Sequence, residues 1–261
     1  MIRKALFVLL FFYQHGHAAY YNLEEAARCT NAKQLSLGDL QCSYEYKTSN
    51  SIEATTYLPY GISALHQNVI YGNFFFQNSS WKLRLNQKGN SDLLETGLSF
   101  GAEKKLSAHL FAGIQLHYHA FESATSLRGS MLFSELSMQW MLTPSYLFAV
   151  KIMNPSAAKL NISKNWVATT STTDVGCLVK LGEQCNTFTE IHFNLREKPI
   201  FRMGLEYQLT NQLTLCTGLH SNYFNPTWGI GVKKGRWNGF YGGSYHSILG
   251  ISSAISMRFS W

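Results

Sequence analysis

ISSAISMRFSW, residues 251–261, alternates between two kinds of side chain. One set is apolar except for a serine and closes on aromatic residues: Ile251, Ser253, Ile255, Met257, Phe259 and Trp261. The set between them is small, polar or charged: Ser252, Ala254, Ser256, Arg258 and Ser260. A period of two residues is the period of a β-strand. A strand with one apolar face and one small, polar face is typical of a transmembrane β-barrel, which faces lipid outside and water inside.

The same alternation recurs from about Leu40 onward and is broken at short intervals by turn residues. Because a membrane strand and its turn take about 17 residues, the sequence predicts about 14 antiparallel strands, with 12 as the alternative. Residues 154–165 are expected to form a loop. A soluble β-sandwich would also alternate, but its outer face would be rich in Lys and Glu. The polar face here is Gly-rich and sparsely charged, which favours an all-β, transmembrane antiparallel barrel.

Composition agrees with this fold and argues against other classes. The chain is 46% hydrophobic and only 14% charged, whereas soluble domains carry about 25% charged residues. No segment has the roughly 18 consecutive apolar residues that a spanning helix needs. The formal net charge of +7 is spread without a basic block, so nucleic-acid binding is not indicated. A mildly basic surface would instead meet the lipid of an outer membrane.

Residues 1–18 are predicted to be a cleaved secretory signal peptide. Arg3 and Lys4 form its charged start, residues 5–13 its apolar run and residues 16–18 a small-x-small cleavage site. An N-terminal anchor or a buried helix is the alternative. Residues 19–36 have a helix-tolerant composition and are predicted to form a helical plug segment, and residues 37–261 the barrel.

The cysteines allow disulfides in an exported chain. Cys177 and Cys185 flank a four-residue turn sequence, LGEQ, and are a candidate disulfide pair. Cys29 and Cys42 form a weaker candidate pair, which leaves Cys216 without a partner. No Cys/His spacing resembles a zinc site, so we predict neither a metal nor a cofactor.

Alternation also selects the side chains that point into the lumen. On one strand these are His109, Phe111, Gln115, His117 and His119, which would form a metal site, a pH-dependent gate or a hydrated wall. The inward charged residues carry both signs: Lys82, Arg84, Glu95, Glu135, Lys151, Glu190, Arg196, Arg202, Glu206 and Arg258. Cross-strand ion pairs that fill a narrow lumen are therefore favoured over a charge-selective pore.

An enzyme is not predicted, because no Gly-x-Ser-x-Gly or comparable catalytic signature is present. The aromatic residues fit girdles at the depth of the lipid headgroups instead: Trp228, Trp237, Tyr241, Tyr245 and Trp261.

Three stretches carry a resemblance to a known family: VKIMNPS at 150–156, FRMGLEY at 201–207 and YHSILG at 245–250. Near the N-terminus, AAR at 26–28 and LGD at 37–39 match as well. In these features the chain resembles FadL-like outer-membrane β-barrels, specifically the PorV/PorQ-like branch associated with type IX secretion.

The resemblance implies a protein of the bacterial outer membrane and two candidate functions. The first is a FadL-like passage for small hydrophobic molecules, to which the inward Phe111, Met131 and Phe133 would contribute apolar surface. The alternative is a non-transporting accessory barrel that binds envelope or secretion proteins and has its lumen closed by ion pairs.

Overall fold

The computed structural model describes residues 31–42, 48–124, 127–162, 165–167, 169–195, 197–221 and 224–261. Helix α1 spans Ala32–Ser36, and short 3₁₀ turns span Pro59–Gly61 and Ser63–Leu65. The strands are β1 Ser51–Leu58, β2 Gln67–Phe76, β3 Ser79–Gly89, β4 Leu93–Lys105, β5 Leu110–Ser123, β6 Arg128–Thr143, β7 Tyr146–Met153, β8 Leu160–Ile162, β9 Asn165–Val167, β10 Thr172–Lys180, β11 Cys185–Asn194, β12 Ile200–Gln208, β13 Leu213–His220, β14 Asn225–Lys234, β15 Trp237–His246 and β16 Gly250–Ser260.

Fourteen of these strands form one closed antiparallel barrel, which confirms the predicted strand number. Strands β1 to β7 and β10 to β16 each pair with two neighbours. The barrel closes where β1 pairs with β16, from Ser51 opposite Ser260 to Leu58 opposite Ser253. Strands β8 and β9 form a short hairpin that extends β6 beyond the end of β7.

The stretch at 251–261 forms β16 and pairs with both β15 and β1. Its alternation is confirmed, because Ser252, Ala254 and Ser256 are buried inside while Ile255 and Met257 are exposed outside. The same separation holds around the barrel. The outer face therefore presents large apolar side chains, as membrane barrels do. No helix among the described residues is long and apolar enough to cross a membrane.

The two ends of the barrel differ in the length of their connections. At one end, here called the turn end, the strands are joined by turns of two to four residues at 77–78, 106–109, 144–145, 181–184, 209–212 and 235–236. At the other, here called the loop end, the connections lie at 59–66, 90–92, 124–127, 154–171, 195–199, 221–224 and 247–249, and three of these seven are longer than four residues.

The strands begin later than the sequence predicted. The first strand starts at Ser51, and residues 37–42 belong to the N-terminal segment because Leu37 and Leu40 are buried inside the barrel. Helix α1 lies in the predicted helical segment, whereas residues 1–30, with the predicted signal peptide, lie outside the described residues.

The expected loop at 154–165 contains regular structure, which corrects that prediction. Asn154 is fully buried with φ 55°, and its amide donates to the Thr169 hydroxyl (2.8 Å) and accepts from the Ala158 N–H (2.7 Å). These bonds fold the segment back onto the barrel, so that Leu160 is buried against Met153 and β8 pairs with β6.

The candidate disulfide between Cys177 and Cys185 is wrong. Both thiols are free, and the strand register places Cys177 opposite Thr189. The backbone of Cys185 instead faces Leu181, whose N–H donates to its carbonyl (2.7 Å). The two cysteines are therefore offset by four residues along the hairpin, which corresponds to ~13 Å of strand and exceeds disulfide reach. Cys42 is also free, and Cys29 lies outside the described residues.

Candidate functional site

Residues 31–42, here called the N-terminal segment, lie inside the barrel against its wall. Helix α1 begins with a capping box: the Asn31 side chain accepts from the Gln34 N–H (2.8 Å), and the Gln34 side chain accepts from the Asn31 N–H (3.3 Å). Leu35, Leu37 and Leu40 are at most 3% exposed. The segment is therefore a packed part of the interior.

Glycines on four adjacent strands make room for this segment. They are Gly204 on β12, Gly218 on β13, Gly229 on β14 and Gly242 on β15, and we call them the glycine track. A Cβ atom at any of these positions would lie within 3.0 Å of residues 32–38. Larger residues would push the segment off the wall, so the track determines where it sits.

Polar groups of the wall hold the backbone of the segment at three points. The Ser256 hydroxyl accepts from the Ala32 N–H (2.9 Å). The Thr227 hydroxyl accepts from the Gly38 N–H (3.0 Å) and donates to the Ser36 carbonyl (2.9 Å). The third point is the Glu190 carboxylate, which accepts hydrogen bonds from the N–H groups at the C-terminal end of the segment.

The Glu190 carboxylate accepts from the N–H groups of Gln41 (3.0 Å) and Cys42 (2.8 Å). It is held in turn by Arg202, whose guanidinium donates to it at 2.7 Å. Burial, followed by the negative charges of Glu190 and Asp174, raises the pKa of the Cys42 thiol well above its usual value. The thiol is therefore protonated and unreactive while the segment is seated.

An apolar contact completes the seat. The side chains of the segment pack with inward residues of β7, β10, β11, β13, β15 and β16 in one buried cluster: Ala149, Leu178, Phe188, Cys216, Phe240 and Ala254. This contact covers the half of the lumen wall that carries the glycine track.

Ion pairs occupy much of the remaining interior. Each joins opposite charges on neighbouring elements: Lys33–Glu206 (2.5 Å), Lys82–Glu103 (2.9 Å), Lys88–Glu95 (3.9 Å), Lys151–Asp174 (3.7 Å), Arg202–Glu190 (2.7 Å) and Arg258–Glu53 (2.6 Å). Because every pair is internally neutral, the wall they form does not favour ions of one sign.

Two histidines anchor denser networks within this wall. Asp174 accepts from Arg202 (3.0 Å) and lies 2.8 Å from Nδ1 of His192. On β4 to β6, which only β7 separates from β10, Nδ1 of His117 lies 2.8 Å from the Ser99 hydroxyl and its Nε2 lies 3.4 Å from Glu135. The residues described in this structure include no cluster of side chains suited to a metal ion.

The predicted lumen residues fall into three groups. Phe111, His117, His119 and Arg202 are buried inside, and Gln115, Glu135, Glu206 and Arg258 are half-buried there. His109 is different: it is exposed in the turn at 106–109, because β5 begins only at Leu110. That placement corrects its prediction as a lumen residue. Arg196 lies outside the described residues.

Sequence reasoning missed several residues of the site, including Glu53, Glu103, Asp174 and His192. Glu103 and His192 occupy polar positions of strands that alternate, so the alternation alone predicts that their side chains point inward. Asp174 lies in TTDVGCLVK, where alternation is weak. The role of the glycines needed the strand register, because an inward Gly has no sequence signature of its own.

A second apolar cluster lies at the loop end. It joins β5, β6 and β7 to the β8–β9 hairpin through Phe121, Met131, Phe133, Met153 and Leu160. An open cleft of ≈ 550 Å³ lies beside it and is lined by residues that include Leu94, Tyr118, Ala120, Phe121 and Ser130.

Comparison with known proteins gives similarity to solved structures only, since no family model and no curated protein matches the sequence. The Pseudomonas putida toluene transporter TodX superposes with a TM-score of 0.66 at 9% identity, over 90% of this chain and 99% of that one. The monoaromatic hydrocarbon channel CymD gives 0.65 at 9% identity, over 88% and 97%. An Acinetobacter baumannii outer membrane protein gives 0.54 at 11% identity, over 82% and 98%.

This chain has the fold of TodX and CymD. These neighbours support the barrel fold predicted from the sequence, and they do not support the PorV/PorQ-like branch. At such low identity the likeness concerns the fold, so the cargo of the neighbours is not thereby assigned to this chain.

Proposed function

We propose that this chain is an outer-membrane barrel that passes small hydrophobic molecules and is closed at rest by its N-terminal segment. The observation that carries the proposal is the seat of residues 31–42 on the glycine track, inside a closed fourteen-strand barrel. A cargo that crosses the lumen must pass this segment. TodX is a toluene transporter and CymD a monoaromatic hydrocarbon channel, so monoaromatic hydrocarbons are the ligand class to test first.

The lengths of the connections support an orientation. Outer-membrane barrels have short periplasmic turns and longer extracellular loops, so the turn end would face the periplasm. The signal peptide at residues 1–18 remains part of this proposal, since an outer-membrane protein must be exported.

The loop end supplies apolar surface on the inner wall, where Phe121, Met131 and Phe133 are buried. The cleft of ≈ 550 Å³ beside them is not part of this path, because most of its lining residues, including Tyr118, Arg128 and Ser130, lie on the outward face of β5 and β6. A monoaromatic molecule would therefore enter from the loop end and move inward past Phe121, Met131 and Phe133.

The test moves the N-terminal segment off the glycine track by a substitution on the inner face of the barrel, and leaves the outer face unchanged. We expect Gly242→Val to unseat the N-terminal segment, because a Cβ there would meet the Ala32 carbonyl, and to raise both ion conductance and toluene uptake severalfold. Gly239→Val on the same strand is the matched control, since a Cβ there has no neighbour within 4 Å. Maleimide labelling of Cys42, with the other cysteines replaced by Ser, reports whether the segment has left the wall.

The outcomes separate the parts of the proposal. If Cys42 becomes reactive in Gly242→Val while conductance and uptake do not change, the segment is not the gate. If cells that express the wild-type chain take up toluene no faster than cells without it, passage of such molecules is excluded.

A second candidate is the accessory barrel of a secretion-like assembly, in the PorV/PorQ-like branch. The neutral ion pairs that fill the interior support a lumen that conducts nothing, and the resemblance of residues 150–156 and 201–207 supports the branch. Purification from native membranes distinguishes the two, because an accessory barrel would retain envelope proteins and show no hydrocarbon uptake.

A further inference from the structure

The turn between β14 and β15 concentrates positive charge at the turn end. Lys233 and Lys234 end β14. The two-residue turn that follows consists of Gly235, which has a φ of 59°, and Arg236. All three cationic side chains are exposed. Lys234 follows the outward Val232 by two residues and lies on the outer face, whereas Lys233 lies at the inner edge of the rim.

Hydrogen bonds to both neighbouring elements fix the position of this turn. The Lys233 N–H donates to the Gln212 carbonyl in the adjacent turn (2.8 Å), and the Ser260 N–H donates to the Arg236 carbonyl (2.9 Å). The three charges are thus held beside β16 and do not swing on a free loop.

Aromatic rings form a row directly beside the charges. The Trp237 and Phe259 rings lie 4.8 Å apart, and Phe259 and Trp261 lie 5.9 Å apart. Trp237 is 53% exposed and Trp261 46% exposed on the outer face. Such rings occupy the depth of lipid headgroups in membrane barrels. We call these rings, with Lys233, Lys234 and Arg236, the hairpin patch.

Among the described residues, no acidic side chain lies in the hairpin patch to offset its positive charge. Glu53 is the acid nearest along the pairing of β1 with β16, and it points into the lumen, where Arg258 binds it at 2.6 Å. Glu183 is the one acid in the described turns of this end, and it lies in the 181–184 turn on another part of the rim.

From this arrangement we propose that the hairpin patch binds the headgroup of an anionic glycerophospholipid in the leaflet at the turn end. The lipid phosphate would lie against Lys234 and Arg236. The glycerol and upper acyl chains would pack on Trp237, Phe259 and Trp261. This binding site is separate from the passage proposed above and does not depend on it.

Two other exposed cations of the turn end, Lys105 and Lys180, lack this combination. The Lys105 ammonium lies 5.9 Å from the ring centroid of the inward Phe111, so its charge turns toward the lumen. Lys180 borders the turn that carries Glu183. These positions supply a control that removes the same number of charges from the same end.

The experiment measures lipid retention by native mass spectrometry of the detergent-purified chain. We expect wild type to retain dioleoylphosphatidylglycerol over dioleoylphosphatidylcholine, and K234Q/R236Q to lose about tenfold or more of that affinity. The control K105Q/K180Q removes the same number of charges and should lose less than about threefold, and W237A should weaken retention although it keeps every charge.

Equal losses in the two double variants would overturn the proposal, because binding would then follow net charge alone. Absence of a preference for phosphatidylglycerol would overturn it as well. Tighter binding of lipid A than of phosphatidylglycerol at the patch would contradict the assigned leaflet and lipid class. Heat-modifiable migration on gels checks that each variant is folded, and toluene uptake by the same variants tests the proposed passage independently.

Discussion

At the scale of single residues, the closure of the barrel depends most on Glu190. Its carboxylate is the acceptor for the Gln41 and Cys42 N–H groups and is itself oriented by Arg202. A carboxylate acceptor makes stronger hydrogen bonds than a neutral acceptor, and Arg202 fixes the direction of this one. It therefore serves as a fixed acceptor for the end of the N-terminal segment.

We expect Glu190→Gln to loosen that end without unfolding the barrel. Hydrogen bonds to charged groups contribute about 1.5–3 kcal/mol, so local opening should become easier by about 2 kcal/mol. Hydrogen exchange at the Gln41 and Cys42 amides should then be about 30-fold faster. Glu53→Gln is the control, because Glu53 binds Arg258 and makes no bond to the segment. Unchanged exchange in Glu190→Gln would contradict the assigned role.

At the scale of elements, neighbouring strands of the barrel wall differ in length. Strand β6 has 16 residues and β7 has 8, and the β8–β9 hairpin pairs with the part of β6 that β7 does not reach. The outward residues of β6 change from Arg128 and Ser130 near the loop end to Leu136 and Met138 farther down. The apolar band thus covers only part of this long strand.

Substitution by Lys along β6 should therefore depend on depth. Leu136→Lys would place a charge within the apolar band and should lower the free energy of unfolding by about 2–4 kcal/mol, whereas Ser130→Lys should cost at most about 1 kcal/mol. Urea unfolding in phospholipid vesicles measures both values. Similar costs at the two positions would show that the apolar band is not where lipid contacts the barrel.

The sequence predicted the elements better than it predicted their contacts. Alternation in ISSAISMRFSW and in residues 201–209 indicated the faces of β16 and β12, because side-chain direction in a strand depends on local geometry alone. The seat of the N-terminal segment could not be found in this way. Gly204 lies opposite Gly218 only after register is set, and register is decided by pairing across the whole barrel. The prediction of His109 as a lumen residue was wrong, because periodicity does not determine the residue at which a strand begins.

At the scale of the whole molecule, the fold is a closed wall with its own N-terminal segment inside. Fourteen paired strands leave no free sheet edge, and the ion pairs leave no excess of one charge among the bonded groups of the lumen. Passage of a hydrophobic cargo would therefore require movement of the segment and would not require a change in the wall.

Disulfide trapping in the membrane tests the central claim, that residues 31–42 sit on the glycine track. Ser36→Cys would face the native Cys216 of β13, whose thiol hydrogen-bonds the Ser36 side chain, and a thiol in that contact is within reach of a disulfide. In a chain whose other cysteines are replaced by Ser, oxidation of outer membranes should join these two positions within one molecule. Ser36→Cys with the outward Gly239→Cys, in a chain that also carries Cys216→Ser, should not react. Failure of the first pair to form, or equal formation of both, would contradict the account.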